Sequence, residues 1–283
     1  MKKIIIILSI TLLSFGCAKK IIFKSDKDGQ DNIKTISSGL NSTNWQERLK
    51  TVKEISKQIS QGYDSDLTDE VILNLLIKAT SDSHEAVIIE SIKGLSVLKY
   101  PEAMEMLAVL AMDDKNSNTR WYAIQALSLF KNSENIPVFL KGLKSEDWLI
   151  RESSIKGLLY LDMAFNDEYI PVIITAINDQ NESVKTAALL NLKIKDEKIY
   201  ETIKAVFLNK KNDTKVNLIR AVLTALEGYT LDDKVKDRTI EFLTDRNSEI
   251  RIHALRVLKK DNELRKFSNS GDKDSLKDIL NKK

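Results

Sequence analysis
One short pattern returns along the chain at near-constant spacing, and it limits the possible folds more than any other feature. Around Asn116 to Leu127 it reads as a basic residue, Arg120, then Ala123, Ile124 and Leu127. On a helix the last three fall on one face. The same order recurs as Arg48-Thr51-Val52-Ile55, Arg151-Ser154-Ile155-Leu158 and Lys185-Ala188-Leu189-Leu192. It returns again as Lys215-Leu218-Ile219-Val222 and Arg251-Ala254-Leu255-Leu258. Leu218 is the one bulky residue at the small place, and a seventh copy, Ser91-Ile92-Leu95, has Ile88 at the basic place. Successive copies start 40, 32, 31, 34, 30 and 36 residues apart. A period of about 33 residues means units that each bury one face against the next, a stacked solenoid.

Between the motif-bearing helices lies a second helix type. The motif places its own helices at about 44–60, 83–98, 117–130, 148–160, 182–194, 213–227 and 248–260. The intervening helices fall at about 67–80, 101–112, 135–144, 168–178, 197–208 and 231–244. Pro137 and Pro171 sit in the first turn of theirs and Pro101 opens its own, where a missing N–H does no harm. With only nine Gly and three Pro, the composition suits an all-helical chain.

The pattern resembles HEAT repeats of the short bacterial HEAT-like type, over roughly residues 44–260. The resemblance implies an all-α fold, a right-handed α-solenoid of about six to seven HEAT-like helix pairs. It also implies that the motif-bearing helices line a concave face where a protein or peptide partner binds. In that family an Asp six places before the basic residue helps tie adjacent repeats. Here Asp114/Arg120, Asp179/Lys185 and Asp245/Arg251 supply both members, and Asp82 stands without the basic partner of its own repeat. Ser42, Ser145 and Asn209 replace the acid elsewhere, so an incomplete ladder is expected.

The N-terminus carries a separate signal. Lys2 and Lys3 precede an apolar run, Ile4 to Leu13, of signal-peptide length. The run is shorter than the roughly 20 residues of a membrane span. Ser14-Phe15-Gly16-Cys17 then resembles a bacterial lipobox, although Ser14 occupies the usual Leu place and Leu13 lies one further back. That resemblance implies cleavage before Cys17 and lipid on its thiol, an anchor of more than one acyl chain. Ala18, where Asp would retain a lipoprotein in the inner membrane, favours the outer membrane of a bacterial cell envelope. The expected division is a signal peptide over 1–16, a lipidated Cys17 and flexible tether over 17–43, the solenoid over 44–260, and a C-terminal cap with a short helix over 261–283.

Charge and reactive residues narrow the function. The chain has 44 basic and 41 acidic residues, and 42 against 41 without residues 1–16, so nucleic acid is not expected as a partner. Cys17 is the only Cys and His84 and His253 are the only His, which leaves no Cys/His metal cluster and no intrachain disulfide. With no phosphate-cradling Gly loop, zinc-protease motif or nucleophile elbow, neither an enzyme nor a cofactor is expected. The expected function is a membrane-anchored interaction scaffold. The rivals are a structural envelope protein linking layers and, further off, a nucleic-acid-binding HEAT-like protein or an enzyme.

Candidate binding residues come from the fifth place after each basic position: Lys53, Lys93, Gln125, Lys156, Leu190, Arg220 and Arg256. Five of the seven are basic, and at 100° per residue the place lies off the core stripe. Trp121, Tyr122, Trp148 and Tyr160 are candidate aromatic anchors beside this row. Arg120, Arg151 and Arg251, next to the turns, are expected to hold repeats together.

Overall fold
The computed structural model describes residues 36–61, 69–161 and 167–258, and among these all regular structure is helical. The first repeats comprise α1 (Trp45–Gln61), α2 (Asp69–Ala79), α3 (Glu85–Leu98), α4 (Pro101–Asp113), α5 (Ser117–Ser128) and α6 (Ile136–Gly142). They continue through α7 (Trp148–Tyr160), α8 (Ile170–Ile177), α9 (Glu182–Leu190), α10 (Glu197–Leu208), α11 (Val216–Leu226), α12 (Asp233–Glu241) and α13 (Ser248–Val257). The odd-numbered helices carry the motif and pack each on the next, α1 on α3 through to α13, as one layer. The even-numbered helices form the second layer, and the core lies between the two. The chain is an all-α solenoid.

Motif positions fill that core as their spacing requires. Ile92, Leu95, Ile124, Leu127, Ile155, Leu158, Ile219, Val222 and Leu255 are all buried. Ser91, Ala123, Ser154, Ala188 and Ala254 at the small place are buried too, and so is the bulkier Leu218. Within a repeat the two layers approach closely at Gly94 and Gly157, six places after the basic position. A Cβ on Gly157 would meet the Phe139 ring at 2.5 Å, and one on Gly94 would meet Leu76 at 2.8 Å. A bare backbone is what lets these partner-helix side chains lie against the motif helix.

Every motif helix except α11 starts through a two-step relay of side chains. Asp245 accepts the Asn247 N–H at 2.7 Å, and Asn247 in turn accepts that of Glu249 at 2.9 Å. Asp114 with Asn116 and Asp179 with Asn181 repeat the arrangement. Asp82 with His84 does so using an imidazole as the cap. The relay satisfies donors that a helix N-terminus leaves open. Arg120 closes the same turn by donating to the Asp114 and Lys115 carbonyls, and Arg251 does so with Asp245 and Arg246.

The ladder runs differently from the sequence expectation. Each motif Arg bonds the main-chain oxygen of the residue six places earlier, and where the following repeat holds an Asp at that place, as for Arg48 and Arg151, the guanidinium also reaches across to it. Arg48 grips Asp82 with two bonds of 2.6 and 2.8 Å, and Arg151 grips Asp179 with two of 2.7 and 2.9 Å. Asp82 therefore does have its basic partner. For Arg120 the corresponding residue of the following repeat is Ser145, which has no carboxylate to offer. Farther on, around α10 and α11, a different lock joins the repeats: Lys204 and the Tyr200 hydroxyl both meet Asp232, at 2.7 and 3.1 Å. Lys195 donates to the Ala225 and Glu227 carbonyls at the end of α11.

These pairs set an acid limit. The Lys204 ammonium, chiefly, holds the Asp232 carboxyl down to about 2. Arg48 likewise depresses Asp82; burial alone would raise Asp179, but the Arg151 guanidinium, the Asn181 N–H and the Lys185 charge together bring it down. A carboxyl depressed on folding contributes stability above its unfolded value near 4, and loses it as pH falls through its folded value. The melting temperature is therefore expected to hold from neutrality to about pH 4 and then to fall steeply toward pH 2. Thermal melts at graded pH check this, and a fall already complete above pH 5 would contradict it.

Three boundaries differ from the expected ones. Residues 36–40 form a helical turn, with Ile36 buried and the Asn41 side chain accepting from Lys78, so the folded body begins before residue 44. α9 ends at Leu190 rather than 194, where the Asn191 side chain turns back onto the Ala187 carbonyl. α11 starts at Val216 rather than 213, because Lys210–Asn212 makes a 3-10 turn pinned by Asn212 on the Val206 carbonyl. The expected signal peptide, Cys17 and the expected 261–283 cap lie outside the described residues.

Candidate partner-binding face
The fifth place after the basic position is exposed or half-exposed on all seven motif helices, and the second and ninth places flank it, the second being buried at Ser153 and Ala187. The i, i+3, i+7 spacing puts these on one helix side. Neighbouring stripes meet in two clefts. The first, about 410 Å³, lies across α3, α5 and α7 and is lined by Lys93, Tyr122, Gln125, Leu129, Ser153 and Lys156 among others. The second, about 280 Å³, lies across α7, α9 and α11 and includes Glu152, Lys156, Glu182, Leu190, Asn217 and Arg220. Lys156 belongs to both, so the two form one groove across five motif helices.

Five of the seven residues in the row counted from sequence thus line the groove. Lys53 on α1 and Arg256 on α13 are exposed on motif helices beyond its ends. The row is less positive than its residue types suggest. Lys93 pairs with Glu90 at 3.5 Å, Lys156 with Glu152, and Arg220 with Glu249 at 3.2 Å.

The aromatic candidates divide. Tyr122 lines the first cleft, with the Lys93 ammonium 5.7 Å from its ring centre and Trp121 tilted against it at 4.7 Å. Trp121 is half-buried in the seam between α5 and α7, where its indole N–H donates to Ser153 at 2.8 Å. Trp148 is exposed at the start of α7. Tyr160 is exposed at the far end of the same helix, under Lys131 of the preceding loop at 4.7 Å, and lines neither cleft.

One row was not anticipated. Val97, Leu129 and Tyr160 occupy the ninth place in three consecutive repeats and are 55%, 48% and 43% exposed. Three large side chains exposed at the same place in consecutive repeats form a row, unlike the singly scattered apolar residues of an ordinary surface. The signal was available by counting nine places on from Ile88, Arg120 and Arg151.

Residues 107–193, from α4 to α9, match the family described as HEAT repeats. Over that stretch, less than a third of the chain, the sequence is similar to HEAT repeats. The helical stack as a whole is similar to the X-ray structure of the Escherichia coli protein YibA, with a TM-score of 0.59 and 15% identity over 92% of this chain and 97% of that one. A designed armadillo repeat protein in complex with the peptide (KR)4 is also similar, with a TM-score of 0.44 and 19% identity over 81% of this chain and 99% of that one. At such identities the likeness to YibA speaks for the fold alone. No curated protein matches the chain in sequence.

Proposed function
We propose that this protein is a membrane-anchored bacterial lipoprotein whose HEAT-like repeats act as an interaction scaffold, holding a protein or peptide partner in the groove on the motif-helix face. The observation that carries the binding half is the groove itself: five motif helices present an exposed, mixed polar and apolar surface that no other part of the described chain covers. Repeat solenoids bind partners through such extended surfaces. The anchoring half rests on the apolar run Ile4 to Leu13 ending at the sole Cys, Cys17. Lipid there would place the groove at the envelope, with the outer membrane favoured by Ala18.

Cys17→Ser tests the anchor. The variant is expected to leave the membrane fraction or persist as uncleaved precursor, and to lose labelling by radioactive fatty acid. A variant that still takes up label and still sediments with membrane would exclude Cys17 as the attachment point. Cross-linking from groove positions tests the binding half.

A further inference from the structure
The first cleft is chemically one-sided. Its lining contains two ammonium groups, Lys93 and Lys156, and no carboxylate. Leu129 lines the cleft with them, and Val97 and Tyr160, exposed at the same repeat position, lie outside its lining; each of the three is four residues on from the row. We propose that this cleft binds an extended segment of a partner protein in which acidic and apolar side chains recur every third residue. The carboxylates would meet Lys93 and Lys156, and the apolar groups would cover Val97, Leu129 and Tyr160. This rests on reading the motif-helix face as the binding face, and adds what the partner must look like.

The spacing follows from helix packing. Adjacent packed helices lie about 8–10 Å apart. A polyproline-type segment has three residues per turn and rises about 3.1 Å per residue, so it advances about 9 Å per turn. Laid across α3, α5 and α7, it presents equivalent side chains to successive repeats. Gln125, between the two lysines in the row, offers a neutral amide at the middle repeat. Tyr122 provides an aromatic wall on the other side of the lysines.

Glu90 and Glu152 do not block this arrangement. Each pairs with a lysine on its own helix, and those lysine side chains are about half exposed at 54% and 48%. The carboxylate of each pair is largely covered while the lysine head stays open, and an ammonium has three N–H donors, so an incoming carboxylate shares it without displacing the resident one. The Lys–Glu pairs also keep the lysine heads over the cleft. An arriving basic segment would meet those ammonium groups with like charge.

The test uses the full chain and three labelled peptides built on the triads Leu-Glu-Pro, Leu-Gln-Pro and Leu-Lys-Pro, with binding read by fluorescence anisotropy at low and moderate salt. The acidic peptide is expected to bind roughly tenfold more tightly than the amide peptide at low salt, with the gap narrowing as salt screens it. Lys93→Glu with Lys156→Glu should erase that preference, and Leu129→Asp should weaken both peptides, each variant keeping its thermal midpoint. Equal or better binding of the amide or basic peptide overturns the proposal, as does unchanged acidic-peptide binding in the double variant. If a non-acidic peptide binds and Leu129→Asp abolishes it, the acidic preference falls while the face remains the binding face. If none of the three binds, the extended-segment proposal falls, and cross-linking from Leu129 decides the broader reading on its own.

Discussion

Phe139→Ala is expected to lower unfolding stability by about 3–5 kcal/mol. The Phe139 ring is fully buried, and it lies over Gly157 of α7, a position with no side chain to move into the space. α6, which carries it, is only seven residues long. A helix that short has little stability of its own and is held by packing. The site therefore cannot collapse easily, and the cost should sit high in the range for large-to-small changes. Urea denaturation followed by circular dichroism measures it, with the loss concentrated in the repeats around α6 and α7 because a solenoid couples mainly to nearest neighbours. A second substitution sharpens the test. Gly157→Ala alone puts a methyl group 2.5 Å from the ring and should destabilise by about 1–3 kcal/mol. In the Phe139→Ala background the same methyl group enters the vacated space and should be close to neutral. Additive effects in that cycle would mean the two residues do not touch.

Arg151→Ala is expected to cost about 3–5 kcal/mol, the range for removing one partner of a buried ion pair. Arg151 makes two bonds to Asp179 and two more to the Ser145 and Glu146 carbonyls, and side-chain exposures of the pair are 9% and 11%. Without the guanidinium, the Asp179 carboxylate is left enclosed and unpaired. Arg120→Ala is the internal control. Arg120 has the same place in its repeat and the same bonds to its own turn, but it has no acid opposite in the next repeat. Its loss should cost only about 1 kcal/mol. Arg151→Lys should recover part of the stability, since it restores charge without the two-pronged geometry. Equal losses at Arg120 and Arg151 would show that the bonds within the turn, and not the rung to the next repeat, carry the stability.

The repeat period was legible because it is a packing requirement written once per unit. Ile124, Leu127 and their counterparts must face the second layer, so their spacing reveals both the helices and the core. What the period does not encode is the partner of a side chain that reaches outward. Asp114 and Arg120 are six places apart and look like a pair, yet the Arg side chain bonds the Asp main-chain oxygen. The true rungs, Arg48 to Asp82 and Arg151 to Asp179, cross from repeat to repeat and depend on how two turns stack. The Tyr200, Lys204 and Asp232 lock escaped for the same reason: its members come from α10 and the loop before α12 and follow no period. At the candidate face, counting five places found the middle of the groove. It missed the exposed row because Val97, Leu129 and Tyr160 lie near helix ends, where an apolar residue reads as one more core position. Trp121 shows the opposite difficulty, an aromatic residue beside the row whose N–H is spent on Ser153 between two repeats.

The central claim is that partners bind on the motif-helix layer. Its most direct test is site-specific photo-cross-linking in the cell that makes the protein, from Leu129 and Leu190 in the groove and from Val109 on α4 in the other layer. Val109 is 57% exposed against 48% and 41% for the groove positions, so accessibility alone favours the control. The groove reading predicts discrete protein adducts from Leu129 and Leu190 and none from Val109. Adducts from Val109 alone, or the same adducts from all three positions, would contradict it.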